Sequence, residues 1–195
     1  IPWDKRVAVL TRRPGGAAVH AVGLADGRAT PLPEPDLAHP GPVCVAGGQL
    51  IVAGSLGGEG RVVAYEAASL RWSWRGAPLG QGLPQLCATP DGVVVRGSRR
   101  IVCLDAAGRL QWQLPFDEEV HGGPVPLLRR GVLLVLADRG LLALDPGSGR
   151  LLGEAGVGEP LWPSLLAADD RLTLFAAEEE GTVEAHGLET FLSVV

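Results

Sequence analysis

LLALDPGSGRLLGE, residues 141–154, decides the fold because the chain repeats its layout elsewhere. IVCLDAAGRLQWQL from Ile101 and VVAYEAASLRWSW from Val62 follow the same plan: an apolar run, an acidic residue, a small-residue turn and a second apolar stretch. Weaker copies begin at Val19 (VHAVGLADGRATPL) and Thr182 (TVEAHGLETFLSVV). The third residues of the copies are Ala21, Ala64, Cys103, Ala143 and Glu184, spaced 43, 39, 40 and 41 residues apart. Pro42, Pro84, Pro124 and Pro163 keep the same phase, at spacings of 42, 40 and 39. A period of this length built from strand-like segments predicts a β-propeller, in which small sheets stack side by side.

The repeat that starts at Pro124 is the easiest to parse. Residues 125–128 read as a first strand, followed by a turn at 129–131. Residues 132–137 form a continuous apolar run, as a strand covered on both faces requires. After a turn at 138–140, a third strand covers 141–145. A turn at 146–149 carries both proline and glycine and leads to an outer strand at 150–154. Gly or Pro interrupts the pattern too often for a helical reading.

The repeats from Pro42 and Pro84 parse in the same way, and the last yields segments at 165–168, 171–177, 182–186 and 190–194. The first yields only three, near 6–11, 17–24 and 28–32, so its innermost strand is missing from the pattern. The expectation is one all-β domain over 1–195, a propeller of four-stranded antiparallel blades in about five repeats of ~40 residues. The blades fall at 1–41 (incomplete), 42–83, 84–123, 124–162 and 163–195. An incomplete blade implies either a ring closed in an unusual way or an arc of a larger ring, and the arc is favoured. The absence of Met predicts a segment cut from something longer.

Composition narrows the function. Hydrophobic residues make up 46% and charged residues 20%, which is globular rather than disordered. A net charge of -5 argues against a nucleic-acid surface, which needs a basic stripe to neutralise phosphates. No apolar run reaches the ~20 residues of a membrane-spanning helix. Cys44, Cys87 and Cys103 are odd in number and lack CxxC spacing, so they read as small buried thiols rather than a disulfide framework or zinc site.

ALDPGSGRLLGE, VCLDAAGRLQW and VAYEAASLRWSW together resemble the PQQ-like (quinoprotein-like) propeller repeat. In that pattern the acidic position falls on Asp145, Asp105 and Glu66, and the closing tryptophan on Trp112 and Trp74; Gly153 stands at the third such position. No Trp-Asp dipeptide closes a blade: Trp3-Asp4 lies outside the repeating pattern. The resemblance implies the propeller fold and two functional branches. The enzymes bind pyrroloquinoline quinone with calcium, often beside adjacent cysteines and with an Asn at the calcium site. This chain has no adjacent cysteines and no Asn. The resemblance is closer to the non-enzymatic branch, which binds proteins or peptides in outer-membrane assembly or as sensor domains. The expectation is a non-catalytic scaffold with a protein or peptide partner and no cofactor. The alternative is a fragment of a quinone-dependent oxidoreductase. The resemblance implies the periplasm or secretion, whereas unpaired cysteines favour a reducing compartment. Compartment and oligomeric state both stay open.

Within that frame Trp74 and Trp112, on outer strands, read as docking residues between blades. Trp72 alternates with Trp74 and should face the other way. Three residues before each marker proline stand His39, Gln81, His121 and Pro160, with Glu159 beside the last. These loops should line one mouth of the central channel. There His39, Gln81, His121 and Glu159 could converge on a metal, an anion or a peptide carboxylate, or simply bond loop backbone. Glu118 and Glu119 would make that mouth acidic and suited to a basic partner. Ser98 lies in a basic turn, and His20 and His186 read as sheet residues. Glu178-Glu179-Glu180 and Asp169-Asp170 read as solvated tips. No hydrolase elbow, phosphate loop or HExxH motif is found.

Overall fold

The computed structural model describes residues 1–13, 16–33, 37, 39–120, 125–137 and 140–155, and the backbone of 164–168, 171–175 and 184–187. Every regular element among them is a strand, and each sheet is an antiparallel meander in chain order. The first sheet holds β1 (Pro2–Trp3), β2 (Arg6–Arg13), β3 (Gly16–Gly23) and β4 (Ala29–Pro31). The second holds β5 (His39–Ala46), β6 (Gln49–Leu56), β7 (Glu59–Glu66) and β8 (Trp72–Arg75). The third holds β9 (Gln85–Thr89), β10 (Gly92–Arg96), β11 (Arg100–Asp105) and β12 (Leu110–Pro115). The fourth holds β13 (Leu127–Arg129), β14 (Val132–Ala137), β15 (Gly140–Leu144) and β16 (Leu151–Ala155). The fifth is described through β17 (Ser164–Ala168), β18 (Arg171–Phe175) and β19 (Glu184–Gly187); the fourth strand expected there, 190–194, lies outside the described residues. First strands neighbour one another, β5 beside β9 and β9 beside β13, so the meanders stack as propeller blades.

One expectation needs correction. The first sheet has an innermost strand, β1, in which Trp3 pairs with Arg6 and Pro2 with Val7. Two residues are too few to show strand periodicity in sequence, and Pro is compatible with an edge strand. Trp3, set outside the repeat by its position, is buried to 1% exposure, and its Nε1 donates to Gly48 O in the second blade.

The core lies between blades, which explains the continuous apolar runs. Alternate residues of one strand enter opposite layers. Leu50 and Val52 of β6 join Trp3, Val19 and Tyr65 in the layer between the first two blades. Ile51 and Ala53 of the same strand join Leu86, Val93 and Val95 in the next. Val94, Ile101 and Cys103 then meet Leu133, Val135 and Leu142. Fully burying each such aliphatic side chain is worth roughly 1.5–3 kcal/mol. The layers therefore hold the blades to one another, and an isolated blade would expose both faces.

Candidate functional site

In the first four blades the third and fourth strands are joined by the turn read from the sequence, and its geometry recurs. Asp105 N donates to Arg109 O, just as Glu66 N donates to Arg71 O and Asp145 N to Arg150 O. The Asp105 carboxylate accepts from the amides of Arg109 and Ala107 and pairs with the Arg109 guanidinium at 2.7 Å. Led by the Arg109 amide, these donors hold its pKa below the usual carboxyl value. The Asp145 carboxyl is lowered chiefly by the Ser148 hydroxyl and amide. One residue in each turn is left-handed: Gly27 (φ 67), Leu70 (φ 56), Gly108 (φ 75) and Gly149 (φ 69). Glycine fills this place in three blades because it bears no Cβ penalty there; in the second blade the residue is Leu70.

These turns receive the neighbouring blade. Trp74 pairs with Ala64 beside a register shift, and Trp112 pairs with Cys103 beside the same shift. A bulge of this kind bends the strand and re-aims its side chains. The Trp74 ring lies on Gly108, where any Cβ would run into it, and its Nε1 donates to Ala106 O at 3.0 Å and Gln49 Oε1 at 2.8 Å. Trp112 lies on Gly149 in the same way, with Nε1 donating to Pro146 O at 2.9 Å. Trp72 points elsewhere: its Nε1 donates to Pro33 O, and Arg75 stacks over its ring at 3.6 Å.

The joint between the first two blades is built differently. In the strand pairing Thr30 faces Ala21, the position that Trp74 holds opposite Ala64 and Trp112 opposite Cys103. No register shift is found there. The carbonyl equivalent to Ala106 and Pro146 is Ala67 O, one residue past the acidic position. It accepts instead from Arg6 Nη1 at 3.0 Å. Leu70 takes the turn position on which a ring would otherwise rest. Between these groups lies an open cavity of about 530 Å³, floored by Ala21 and Leu70 and edged by Lys5, Arg6 and Arg28 with Asp4 and Asp26. Asp4 ion-pairs with Arg6 at 3.5 Å, and Asp26 Oδ1 accepts from the Arg28 amide. Asp4 (φ 54) and Leu70 are two of the three described non-glycine residues with positive φ, and both line the cavity. Such residues persist only where surrounding structure holds them.

His39 and Gln81, the described members of the expected channel-mouth set, lie at the opposite end of the blades. His39 is exposed and starts β5, paired with Ser55, so it is a strand residue rather than a loop residue. Gln81 is exposed and bridges Glu59 at the tip of the β6–β7 hairpin. The ladder from His39 passes through Ser55 to Gly60, whose amide donates to Gly80 O. Two strands therefore stand between His39 and the Gln81 segment, about 15 Å at ordinary strand spacing. The structure does not bring these two together; His121 and Glu159 lie outside the described residues. Glu119 is engaged, accepting from the Ser98 hydroxyl at 2.8 Å and Arg99 Nη2 at 3.0 Å. Nearby Arg96 is buried, donates from Nε to Leu136 O at 2.7 Å, and has its pKa drawn down to about 10 by burial. This network ties the third blade to the fourth and to its own exit loop.

Sequence reasoning passed over Arg6, Thr30 and Leu70. The signal was available in the alignment of the repeats: Thr30 in a column with Trp74 and Trp112, and Leu70 in a column of glycines.

Comparison with known proteins bears on the fold and the family. A family model described as outer membrane protein assembly factor BamB, of the PQQ-like repeat type, matches residues 4–160. No curated protein matches the sequence. Among solved structures, BamB from Moraxella catarrhalis is similar with a TM-score of 0.62 and 17% identity, covering 93% of this chain and 66% of that one. The computationally designed Ika8 protein has a TM-score of 0.62 and 12% identity, covering 92% and 57%. The Pan2 WD40 domain of Neurospora crassa has a TM-score of 0.58 and 14% identity, covering 78% and 47%. The chain thus spans about half to two thirds of the length of these structures. At such identities they share its fold.

Proposed function

The chain belongs to the PQQ-like propeller family of outer membrane protein assembly factor BamB, and from that premise we propose that it is a non-catalytic scaffold that holds a protein or peptide partner during assembly. The observation that carries this reading is the family match across residues 4–160. Blades locked by buried interblade layers also suit a rigid platform, because a preorganised surface loses little entropy on binding. An assembly role of the kind named for BamB would act at the outer membrane.

The alternative reading is a fragment of a quinone-dependent oxidoreductase. Among the described residues no group of three or more His, Cys, Asp or Glu is arranged to hold a metal ion. Cys44, Cys87 and Cys103 lie on three separate strands. Burial pushes the Cys44 thiol up to about 12 and Cys103 to about 11.

The direct test is calorimetric titration of the full chain with an unfolded outer-membrane β-barrel protein kept soluble in a low, matched concentration of urea. Saturable binding without quinone-dependent oxidation of alcohols or sugars is expected. Turnover on reconstitution with quinone and calcium would overturn the reading.

A further inference from the structure

Two of the joints between blades hold an indole in a defined slot: a ring on the left-handed turn residue of the next blade, with its N–H donating to the carbonyl one residue past that blade's acidic position. The joint between the first and second blades keeps the carbonyl, Ala67 O, and the turn, but supplies no ring. Thr30 is exposed at the ring-bearing register, and Arg6 has taken the carbonyl. The result is the solvent-open cavity of about 530 Å³ described above. Its floor, Ala21 and Leu70, is apolar. Its edge carries three cations against two carboxylates, and both carboxylates are engaged locally. Lys5 and Arg28 are exposed, and neither makes an ion pair among the described residues.

We infer that this joint is a binding site for an aromatic side chain flanked by acidic residues, supplied by a partner peptide. The aromatic ring enters the cavity left where a tryptophan of the chain packs at the two ring-bearing joints, and lies further from the turn there, over the Leu70 side chain. Neighbouring carboxylates of the peptide meet Lys5 and Arg28 at the rim, where charge complementarity fixes orientation and speeds encounter. Arg6 is held by Ala67 O and Asp4, so its guanidinium plane is presented at fixed geometry to stack on the ring. Cavities that combine an apolar floor with a few oriented polar groups are the usual form of a ligand site.

The inference rests on the scaffold reading but fails separately from it: whole-protein binding through another surface would survive the loss of this site. The test is calorimetric titration of the full chain with the peptides Ac-Glu-Trp-Glu-NH2, Ac-Glu-Ala-Glu-NH2 and Ac-Lys-Trp-Lys-NH2. The first should bind at least tenfold more tightly than either control, and its binding should weaken with added salt. Two variants address the site. Arg28→Glu changes an exposed turn residue and should reverse the preference between the two tryptophan peptides. Thr30→Trp combined with Leu70→Gly restores the slot of the other joints with the chain's own ring. It should remain folded, melt at or above the parent temperature and lose peptide binding at least tenfold. Equal affinity for the three peptides, no saturation at millimolar peptide, or unchanged binding by a folded double variant would each overturn the proposal.

Discussion

The joint between the second and third blades and the joint between the first and second use the same repeat register with different fillings. At the former, Trp74 lies on Gly108 and donates to Ala106 O. At the latter, Thr30 stands in the tryptophan's place, Leu70 in the glycine's, and Arg6 satisfies the equivalent carbonyl. The two substitutions belong together. A Cβ on Gly108 would strike the Trp74 ring, so a leucine at that position is incompatible with a ring set as close to the turn as Trp74 is. A repeat protein can thus open one joint without disturbing its neighbours, because each blade contacts only the next.

The comparison breaks most visibly at a closed joint. Trp112 is 9% exposed and joins the third blade to the fourth. Replacing it with Ala should cost about 3–5 kcal/mol, read from urea denaturation. Thr30→Ala, at the equivalent position of the open joint, should change stability by less than about 0.5 kcal/mol, as exposed substitutions do. Similar losses for the two variants would show that the joints are not different in kind.

The turn residue gives a second contrast. Gly149→Ala places a Cβ against the Trp112 ring on a backbone of φ 69. A loss of about 1–3 kcal/mol is expected, from left-handed strain before any displacement of the ring. Leu70→Gly relieves strain but removes a half-buried side chain, so its net effect should stay within about 1 kcal/mol. Chemical denaturation of the two variants under one set of conditions decides the matter.

Smaller effects follow from titration. The thiols of Cys44 and Cys103 rise from 9.0 to about 12 and about 11 on folding, chiefly through burial. The unfolded chain therefore releases these protons first, and stability should fall as pH rises from about 9 through that window. Exchanging both residues for Ser should flatten this limb of a plot of melting temperature against pH. Asp105 and Asp145 shift the opposite way, below 3.8. Their contribution is present above that value and is lost as pH falls beneath it. Since Gly23 stands at the acidic position of the first blade, acid should loosen the turns of the third and fourth blades more than its own. Amide exchange resolved by segment at pH 3 and pH 6 would reveal this difference.

The fold was legible because one spacing governed it. Alternate residues of apolar runs such as 132–137 entered opposite interblade layers, as a strand buried on both faces requires. The two-residue strand Pro2–Trp3 escaped notice because period-two alternation needs more residues to appear. Trp74 and Trp112 could be picked out as outer-strand residues, but their acceptors could not, since a carbonyl in the next blade leaves no mark on sequence spacing. The channel-mouth reading treated equal register as proximity. Within the second blade His39 and Gln81 instead lie on opposite flanks, separated by β6 and β7. The open joint was passed over for a related reason: repeat alignment marks Thr30 and Leu70 separately, by what each replaces, and the structure shows that they line one joint.

The most direct test of the two kinds of joint is a crystal structure of the Thr30→Trp/Leu70→Gly variant. The indole should lie on residue 70 with its Nε1 on Ala67 O, the Arg6 side chain displaced and the cavity filled. An indole left in solvent, with the Arg6 to Ala67 hydrogen bond intact, would contradict the claim that the open joint is the same slot without its ring.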